Sequence, residues 1–325
     1  IWLVFMTLIP ALIQRYLNRP MHQISPEQIR PTFRALLEAD IVIGIPGGNI
    51  YSYGSGRALL YIAYTMMIAF LAGKPLYLLP QSYGPFRYRY EKVLFRWLLS
   101  NSRAIMAREP VSLEYLGEIG VPESKCHLLP DMAFAFNQPP DRDVEHWLNT
   151  SGTKPNHDQP LLGISVIDWG AHHRDFIDQS NYEAVIGDTL RHFITQYGGM
   201  VYFFPQTWGP TEADDDRIPS NRIAGLLPDL ENNLIVINQP APAEMLKAAY
   251  GKMDLFIGTR MHANIFALTE FTPVIAIGYQ HKTLGTASMA EILPWVVDIN
   301  RMNQEEMMRK IDALWRSRYE IREHL

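Results

Sequence analysis

The segment DLFIGTRMHANIFALTEFTPVIAIGYQHK, from Asp254 to Lys282, decides the fold class. Two short apolar runs, 255–257 and 273–277, each have the length of a buried parallel strand, and a helical pattern lies between them. A strand, a helix and a second strand in this order form a βαβ unit, which is the building block of a parallel sheet. The segment therefore predicts an α/β protein.

Residues suited to anion binding follow both strands of this unit. Gly258 ends the first strand, and Thr259 is predicted to cap the following helix, with Arg260 and His262 in its first turn. Unpaired backbone N–H groups and the positive end of the helix dipole favour a bound anion at such a turn. Lys282 follows the second strand and adds another cation. The pattern predicts a phosphate or carboxylate ligand.

A purely structural interpretation of the same residues stays open. Arg260 would then pair with a structural carboxylate, and His262 would be a satisfied histidine of the fold. Against this stands the position of both residues beyond the carboxyl end of a strand, where ligands collect in doubly wound sheets.

Apolar runs alternate with helical patterns along the rest of the chain, which is typical of parallel sheets with crossover helices. In the first half we predict strands at 41–45, 75–79, 103–107 and 127–129. In the second half we predict strands at 161–167, 200–204, 234–237, 255–257, 273–277 and 295–299. A stretch rich in Pro, Asn, Asp and Gly near residue 140 divides them. We therefore predict an N-terminal domain, 1–142, and a C-terminal domain, 143–325, whose last helix returns towards the first domain. The default ligand site is the cleft between two such domains.

The first domain offers groups suited to a sugar or phosphate after its first two strands. Gly47 and Gly48 would let backbone N–H groups approach a ligand closely, although a plain turn explains them equally well. The next strand is followed by side-chain donors and acceptors that suit sugar hydroxyls. The predicted acceptor-binding residues are Gly47, Gly48, Asn49, Gln81, Ser82 and Tyr83.

Composition agrees with a soluble enzyme. The 325 residues, 47% of them hydrophobic, suffice for two α/β cores, and the net charge of -5 gives no reason to expect nucleic-acid binding. The single cysteine, Cys126, excludes an internal disulfide and fits a reducing, cytoplasmic compartment. The acidic run at 214–216 suggests a metal or a helix start, and because no second acidic cluster completes a site, no metal is predicted. The apolar start, IWLVFMTLIPALI, is short for a membrane span and predicts a buried helix.

The segment 254–282 resembles the signature of the polysaccharide pyruvyl transferase family, in which a strand leads into Arg-Leu-His and a Pro-Val-Ile strand ends near Tyr and Lys. The resemblance continues in ADIVIGIPGGNI, GKPLYLLPQSYGPF, AREPVSLEYLGEIGV and LLPDMAFAF, and covers about residues 39–300. It implies two Rossmann-like domains in a GT-B-like arrangement. It also implies transfer of a pyruvyl group from phosphoenolpyruvate to two hydroxyls of a sugar in a polysaccharide or its lipid-linked precursor, with phosphate released. A lipid-linked acceptor would make peripheral membrane contact reasonable.

The resemblance assigns roles to several residues. It implies that Arg108 holds the anionic donor together with Arg260 and Lys282, and that Gly258 and Thr259 belong to the same donor site. His262, with Arg260 beside it, is the candidate for proton transfer, since imidazole changes charge near neutral pH. No cofactor is expected.

The chain also departs from the family pattern. Met261 replaces the usual Leu, Glu109 stands where Asp is usual, and the opening strand with its Gly-Asp loop is not found. Two other functions therefore stay open. One is a nucleotide-sugar glycosyltransferase, whose donor diphosphate would also bind Arg and Lys at a helix N-terminus. The other is a noncatalytic glycan-binding relative.

Overall fold

The computed structural model describes residues 2–17, 23, 25–52, 57–151, 158–172, 178–278 and 281–325. Within these residues the chain divides into two compact units, 1–132 and 133–325. The boundary predicted after residue 142 falls inside a helix, Asp141–Thr150. Val144, Trp147 and Leu148 of that helix are buried in a core of the second unit, which is why the helix and the preceding residues belong there.

The first unit contains a parallel sheet. Its strands are β1 (Val42–Gly44), β2 (Gly47–Ile50), β3 (Leu76–Tyr83), β4 (Ala104–Ala107) and β5 (Cys126–Leu128). The strand order is β1-β3-β4-β5. β1 pairs with the first half of β3, and β2 pairs with its second half, at Gln81 and Tyr83. Its helices are α1 (Trp2–Leu17), α2 (Arg30–Glu38), α3 (Arg57–Leu71), α4 (Arg89–Asn101) and α5 (Pro110–Glu118).

The prediction that β3 ends at Leu79 is wrong, because this strand continues to Tyr83. Pro80 directly follows the predicted strand. In the structure the pairing with β4 shifts register between Leu78 and Gln81, so Pro80 lies in an irregularity where its missing N–H is tolerated. Gly47 and Gly48 likewise lie in β2 rather than in a turn.

The second unit contains a six-stranded parallel sheet with the order β11-β10-β9-β6-β7-β8. Its strands are β6 (Leu161–Ser165), β7 (Met200–Phe203), β8 (Leu234–Val236), β9 (Leu255–Gly258), β10 (Val274–Gly278) and β11 (Val296–Asp298). Its helices are α6 (Asp141–Thr150), α7 (Trp169–His172), α8 (Gln179–Tyr197), α9 (Arg217–Gly225), α10 (Ala243–Tyr250), α11 (Met261–Thr269), α12 (His281–Met289) and α13 (Gln304–His324). All six strands lie within two residues of their predicted bounds.

Helices cover both faces of this second sheet. One apolar core includes residues of α8, α9 and α13, and the other includes residues of α6, α10 and α11. The strands are buried on both faces, as their unbroken apolar sequences indicate. α13 packs on α8, β9 and β10 of its own unit, and its return towards the first domain stays a prediction.

The predicted N-terminal helix is present as α1. It packs on α3 and buries Ala11, and the hydroxyls of Thr7 and Tyr64 are 2.6 Å apart. Its opposite face exposes Ile9, Leu12 and Tyr16. Among the described residues, no helix is long and apolar enough to cross a membrane.

A polar clamp joins α8 to α13. Asp312 accepts a hydrogen bond from the Tyr197 hydroxyl at 2.7 Å, and its Oδ1 lies 2.7 Å from Nε2 of His192. Partial burial raises the pKa of Asp312, but the hydrogen bonds with His192 and Tyr197 outweigh it, so this pKa is lowered overall.

Replacing Asp312 with Asn should therefore lower stability in a pH-dependent way. A lowered pKa in the folded protein stabilises it above the unfolded value, near pH 4, and this contribution is lost as pH falls through the folded pKa. We expect Asp312→Asn to lose about 1 kcal/mol at pH 7 in urea unfolding, and the difference to shrink and vanish as pH falls through the lowered folded pKa. Glu320→Gln, on an exposed position of the same helix, serves as the control. A loss that is independent of pH would contradict the clamp.

Candidate active site

The carboxyl edge of the second sheet carries the residues on which the sequence analysis focused. β9 ends at Gly258, and the N-cap of α11 is Arg260, with backbone angles φ -75° and ψ 130°. Thr259 was predicted as the cap, and this is wrong by one residue. Met261 and His262 form the first helical turn, so the predicted order of strand, turn and helix is confirmed.

Thr259 is fully buried because it fastens the end of β9 to its neighbours. Its backbone N–H donates to the carbonyl of Ser165 at 2.9 Å, and its hydroxyl lies 2.8 Å from the hydroxyl of Tyr182 on α8. Burial raises the pKa of Tyr182, which keeps this hydroxyl neutral. Thr259 thus fixes where the next residue, Arg260, leaves the sheet.

Arg260 pairs with a carboxylate that the sequence did not assign to it, Asp216. Nη2 of Arg260 lies 2.6 Å from Oδ1, and Nε lies 3.2 Å from Oδ2. Oδ2 also accepts backbone N–H groups of Gln206 and Thr207, at 3.2 and 3.0 Å. The Asp216 side chain is 2% exposed and that of Arg260 is 20% exposed. The guanidinium of Arg260 is therefore held by a buried carboxylate, and part of the Arg260 side chain remains exposed to solvent.

The ionisation of Asp216 reflects two opposing influences. Burial raises the pKa of Asp216 above its ordinary value overall, although Arg260 and the two backbone N–H groups act in the opposite direction. An ionised carboxylate at this depth depends on its cationic partner, because an unpaired buried charge costs several kcal/mol. Asp216 and Arg260 are thus one electrostatic unit.

The acidic run 214–216 is explained by three different partners. Asp214 accepts from the hydroxyl of Thr211 at 2.6 Å, Asp215 pairs with Arg217 at 2.5 Å, and Asp216 pairs with Arg260. Asp216 is also the N-cap position of α9, so the helix-start interpretation was correct. Across the described parts of the chain no group of three potential metal-ligating side chains occurs.

His262 is exposed, two residues after Arg260 in the same turn. The structure therefore places the two predicted catalytic residues, Arg260 and His262, at the same helix start. Lys282 lies in the first turn of α12, which follows the neighbouring strand β10, but its side chain is outside the described residues.

Gly258 has a packing role that the sequence did not reveal. A Cβ atom at this position would lie 2.0 Å from Oδ1 of Asn264, so only glycine lets the first turns of α11 approach β9 this closely. Asn264 is buried, and neither its amide nitrogen nor its amide oxygen has a hydrogen-bond partner. The buried hydroxyl of Ser165, which pairs in register with Gly258, is also without a partner. Nothing in the sequence pattern marked these two polar groups.

A second polar cluster lies at the carboxyl ends of β3 and β4 in the first unit. Arg108, 5% exposed, donates from Nε to Ser82 at 2.9 Å and from Nη1 to Asp131 at 2.5 Å. Glu109 is fully buried and lies 3.4 Å from the guanidinium. Asp131 follows β5, the neighbour of β4, so strand order could have indicated this partner from the LLPD motif.

Ser112 completes this cluster. Its hydroxyl donates to Glu109 and accepts the backbone N–H of Tyr83 at 2.7 Å. Ser82 donates to the other carboxylate oxygen of Glu109 at 3.1 Å, and burial raises the pKa of Tyr83. Ser82 and Tyr83, predicted to face an acceptor, are buried, and Arg108 has three protein partners. In the structure Ser82, Tyr83 and Arg108 hold the ends of β3 and β4 in place.

Two of the predicted acceptor residues meet at one pocket. Gly47 and Gln81 line a pocket of about 370 Å³ in the first unit, whose remaining lining is mostly aliphatic, from Leu36 on α2 to Met66 on α3. Gly48 and Asn49 lie in β2 beside it, and the side chain of Asn49 is outside the described residues.

Comparison with known proteins decides the family. The model of a protein family described as polysaccharide pyruvyl transferase matches residues 5–281. The chain belongs to this family.

One family relative and two solved structures illustrate these similarities. The amylovoran biosynthesis protein AmsJ of Erwinia amylovora is 24% identical over 307 residues, covering 92% of this chain and 71% of AmsJ. A UDP-GlcNAc 2-epimerase from Methanocaldococcus jannaschii superposes with a TM-score of 0.55 at 12% identity, covering 96% of this chain and 89% of the epimerase. The E. coli ADP-heptose LPS heptosyltransferase II superposes with a TM-score of 0.54 at 11% identity, covering 98% of this chain and 96% of the heptosyltransferase. Both structures have the GT-B fold, which confirms the predicted fold class for this pyruvyl transferase family member.

The Arg108 cluster predicts a large loss of stability when its counterion is removed. Asp131→Ala would leave a buried guanidinium without its closest carboxylate, which typically costs about 3 kcal/mol. Urea unfolding should show this loss. Asp141 also pairs with a cation, Lys252, but its side chain is 82% exposed. Asp141→Ala should therefore lower the free energy of unfolding by less than about 1 kcal/mol. Equal losses would contradict the structural role of Arg108.

Proposed function

We propose that this protein transfers the pyruvyl group of phosphoenolpyruvate to two hydroxyls of a sugar, forming a cyclic ketal and releasing phosphate. Family membership supports transferase activity of this class, and the geometry around α11 supports this donor. The single observation that carries the proposal is the anchored guanidinium of Arg260 at the start of a helix, with His262 in the same turn.

Phosphoenolpyruvate carries a phosphate and a carboxylate, and the start of α11 suits either group. A guanidinium has five N–H donors in a fixed plane, so the contacts that Nε and Nη2 make with Asp216 set the direction of the whole plane. The helix N-terminus adds backbone N–H groups and a positive dipole end. The donor anion would bind across Arg260 and the first turn of α11, with Lys282 as a further cation.

Asp216 acts in this proposal as a positioning residue. Its carboxylate is itself fixed by two backbone N–H groups, so the side chain of Arg260 loses little additional freedom when a ligand binds. Positioning of this kind matters because displacement of a binding group by about 1 Å can cost two orders of magnitude in rate.

His262 is the proposed proton-transfer residue. Ketal formation requires a proton for the methylene carbon of the donor and removal of protons from the two attacking hydroxyls. Imidazole can both give and accept a proton near neutral pH, and the exposed position of His262 lets it reach bound reactants. Arg260, next to the departing phosphate in this arrangement, would stabilise the negative charge that develops there.

The acceptor side rests on the first unit. Gly47 and Gln81 contribute backbone and amide groups to the lining of a mostly aliphatic pocket. This lining suits an apolar group next to the sugar better than the sugar ring itself. It therefore favours an acceptor that carries a lipid. Arg108, which the resemblance assigns to the donor, is paired with Glu109 and Asp131, and in this proposal it supports the neighbouring strand ends.

Thermal stabilisation by the donor tests the proposal. Phosphoenolpyruvate at about 100 times its dissociation constant should stabilise the native chain by about 2.7 kcal/mol, a shift of several degrees in Tm. Arg260→Ala should abolish the shift. Arg191→Ala, which breaks the exposed pair between Arg191 on α8 and Asp229, should preserve it. A shift caused by UDP-glucose but not by phosphoenolpyruvate would instead support a nucleotide-sugar glycosyltransferase. Stabilisation by the sugar alone, without phosphate release, would support a noncatalytic glycan-binding protein.

Phosphate release assays should separate the roles of His262 and Asp216. His262→Ala should lower kcat by a factor on the order of 100 to 10,000 and leave donor affinity within a few-fold, because it removes only proton transfer. Asp216→Asn should mainly raise the KM for phosphoenolpyruvate, since it disturbs the direction of Arg260. Near-native kcat in a folded His262→Ala variant would refute the catalytic assignment.

A further inference from the structure

The outer face of α4 is strongly basic. Arg89, Lys92 and Arg96 are exposed there, and Arg87, which precedes the helix, is exposed as well. The only acidic residue of this stretch, Glu91, is buried and accepts hydrogen bonds from the Ser52 hydroxyl and the Tyr88 backbone N–H. A local excess of positive charge is notable in a chain whose net charge is -5, because it marks this face as different from the average surface.

An exposed apolar stripe runs beside the basic residues. Tyr90, Val93 and Trp97 recur at helical spacing and are 46%, 64% and 41% exposed. The ring of Tyr88 stacks on that of Tyr90 with centroids 5.6 Å apart. Glu91, Phe95, Leu98 and Leu99 already form the buried side of α4, so the apolar stripe is additional to what packing of the unit requires.

The stripe is continuous with the end of α1. The ring of Trp97 packs edge-on against Phe70 of α3 at 4.7 Å, and the carbonyl of Phe70 accepts a hydrogen bond from Arg15 at 3.3 Å. Tyr16, next to Arg15, is 72% exposed. Together these residues form one surface of the first unit, here called the α4 face: Arg15, Tyr16, Arg87, Tyr88, Arg89, Tyr90, Lys92, Val93, Arg96 and Trp97.

We propose that the α4 face docks on the surface of an anionic lipid bilayer. Basic side chains attract anionic headgroups, and tyrosine and tryptophan prefer the boundary between headgroups and acyl chains. The basic residues of the α4 face would contact the headgroups, and its apolar residues would reach the start of the acyl chains. The negative net charge of the whole chain would repel an anionic surface from other directions, so the α4 face also sets the orientation. This inference goes beyond the proposed reaction and does not depend on the donor.

Binding of the α4 face to vesicles should depend on the lipid composition and on the salt concentration. Each Lys or Arg near an anionic surface contributes about 1 kcal/mol, so removing three charges should weaken partition by roughly 100-fold. The electrostatic part is screened within about 10 Å at 0.1 M salt, and binding should fall as salt rises. Vesicles of phosphatidylcholine alone should bind weakly, because they lack the negative headgroups.

Vesicle flotation of the full chain tests the proposal. The native chain should float with vesicles of phosphatidylcholine and phosphatidylglycerol in a ratio of about 2:1. The triple variant Arg89→Gln, Lys92→Gln, Arg96→Gln should lose about 100-fold in partition. A variant with Arg142→Gln, Arg301→Gln and Arg309→Gln, three exposed positions of the second unit, removes equal charge and should bind as the native chain does. Tyr90→Ser with Val93→Ser should weaken binding at all salt concentrations. Circular dichroism melting confirms that each variant is folded.

Several results would overturn the proposal. These are no flotation of the native chain, equal losses in both triple variants, or equal binding to neutral and anionic vesicles. Binding of a single-stranded RNA in preference to vesicles, or a dimer that Tyr90→Ser with Val93→Ser converts to monomer, would assign the α4 face to another partner.

Discussion

The pairing of Asp216 with Arg260 is the interaction on which the candidate site depends. It joins the loop after β7 to the turn after β9, two strands separated in the sheet by β6. Because Asp216 is buried and held by backbone N–H groups, the arginine is presented from a rigid base. The structural interpretation of Arg260, pairing with a carboxylate, and the functional one are therefore compatible. The Asp216 carboxylate fixes the orientation of the Arg260 guanidinium, to which a donor anion would bind.

Buried charge is used in the same way in both units. Arg108 with Asp131 and Glu109, like Arg260 with Asp216, lies where parallel strands end. Buried ion pairs of this kind add little net stability compared with apolar packing, but they are costly to break and so restrict the backbone to one geometry. The difference between them is exposure. Arg108 is almost enclosed by its partners, whereas Arg260 keeps part of its side chain at the surface, which suits it to ligand binding.

The sequence predicted the fold well where its pattern is local. Strands buried on both faces read as unbroken apolar runs, and all six strands of the second sheet were found in this way. It failed where tertiary pairing overrides local signals, as at Pro80, which lies inside β3 because the ladder is irregular there. No motif reveals Asp216 as the partner of Arg260, because the two residues lie far apart in sequence. The contact of Gly258 with Asn264 depends on how α11 packs against β9, which the sequence pattern does not show. The position of Arg260 and His262 at a helix start could be predicted because strand, turn and helix follow each other directly in the chain.

A crystal structure of the full chain with phosphoenolpyruvate tests the central claim most directly. The account predicts the phosphate or carboxylate of the donor within about 3 Å of the Arg260 guanidinium and the first N–H groups of α11, with the Arg260–Asp216 pair retained. Donor bound elsewhere, with Arg260 still engaged only by protein groups, would contradict the account and leave the pair with a purely structural role.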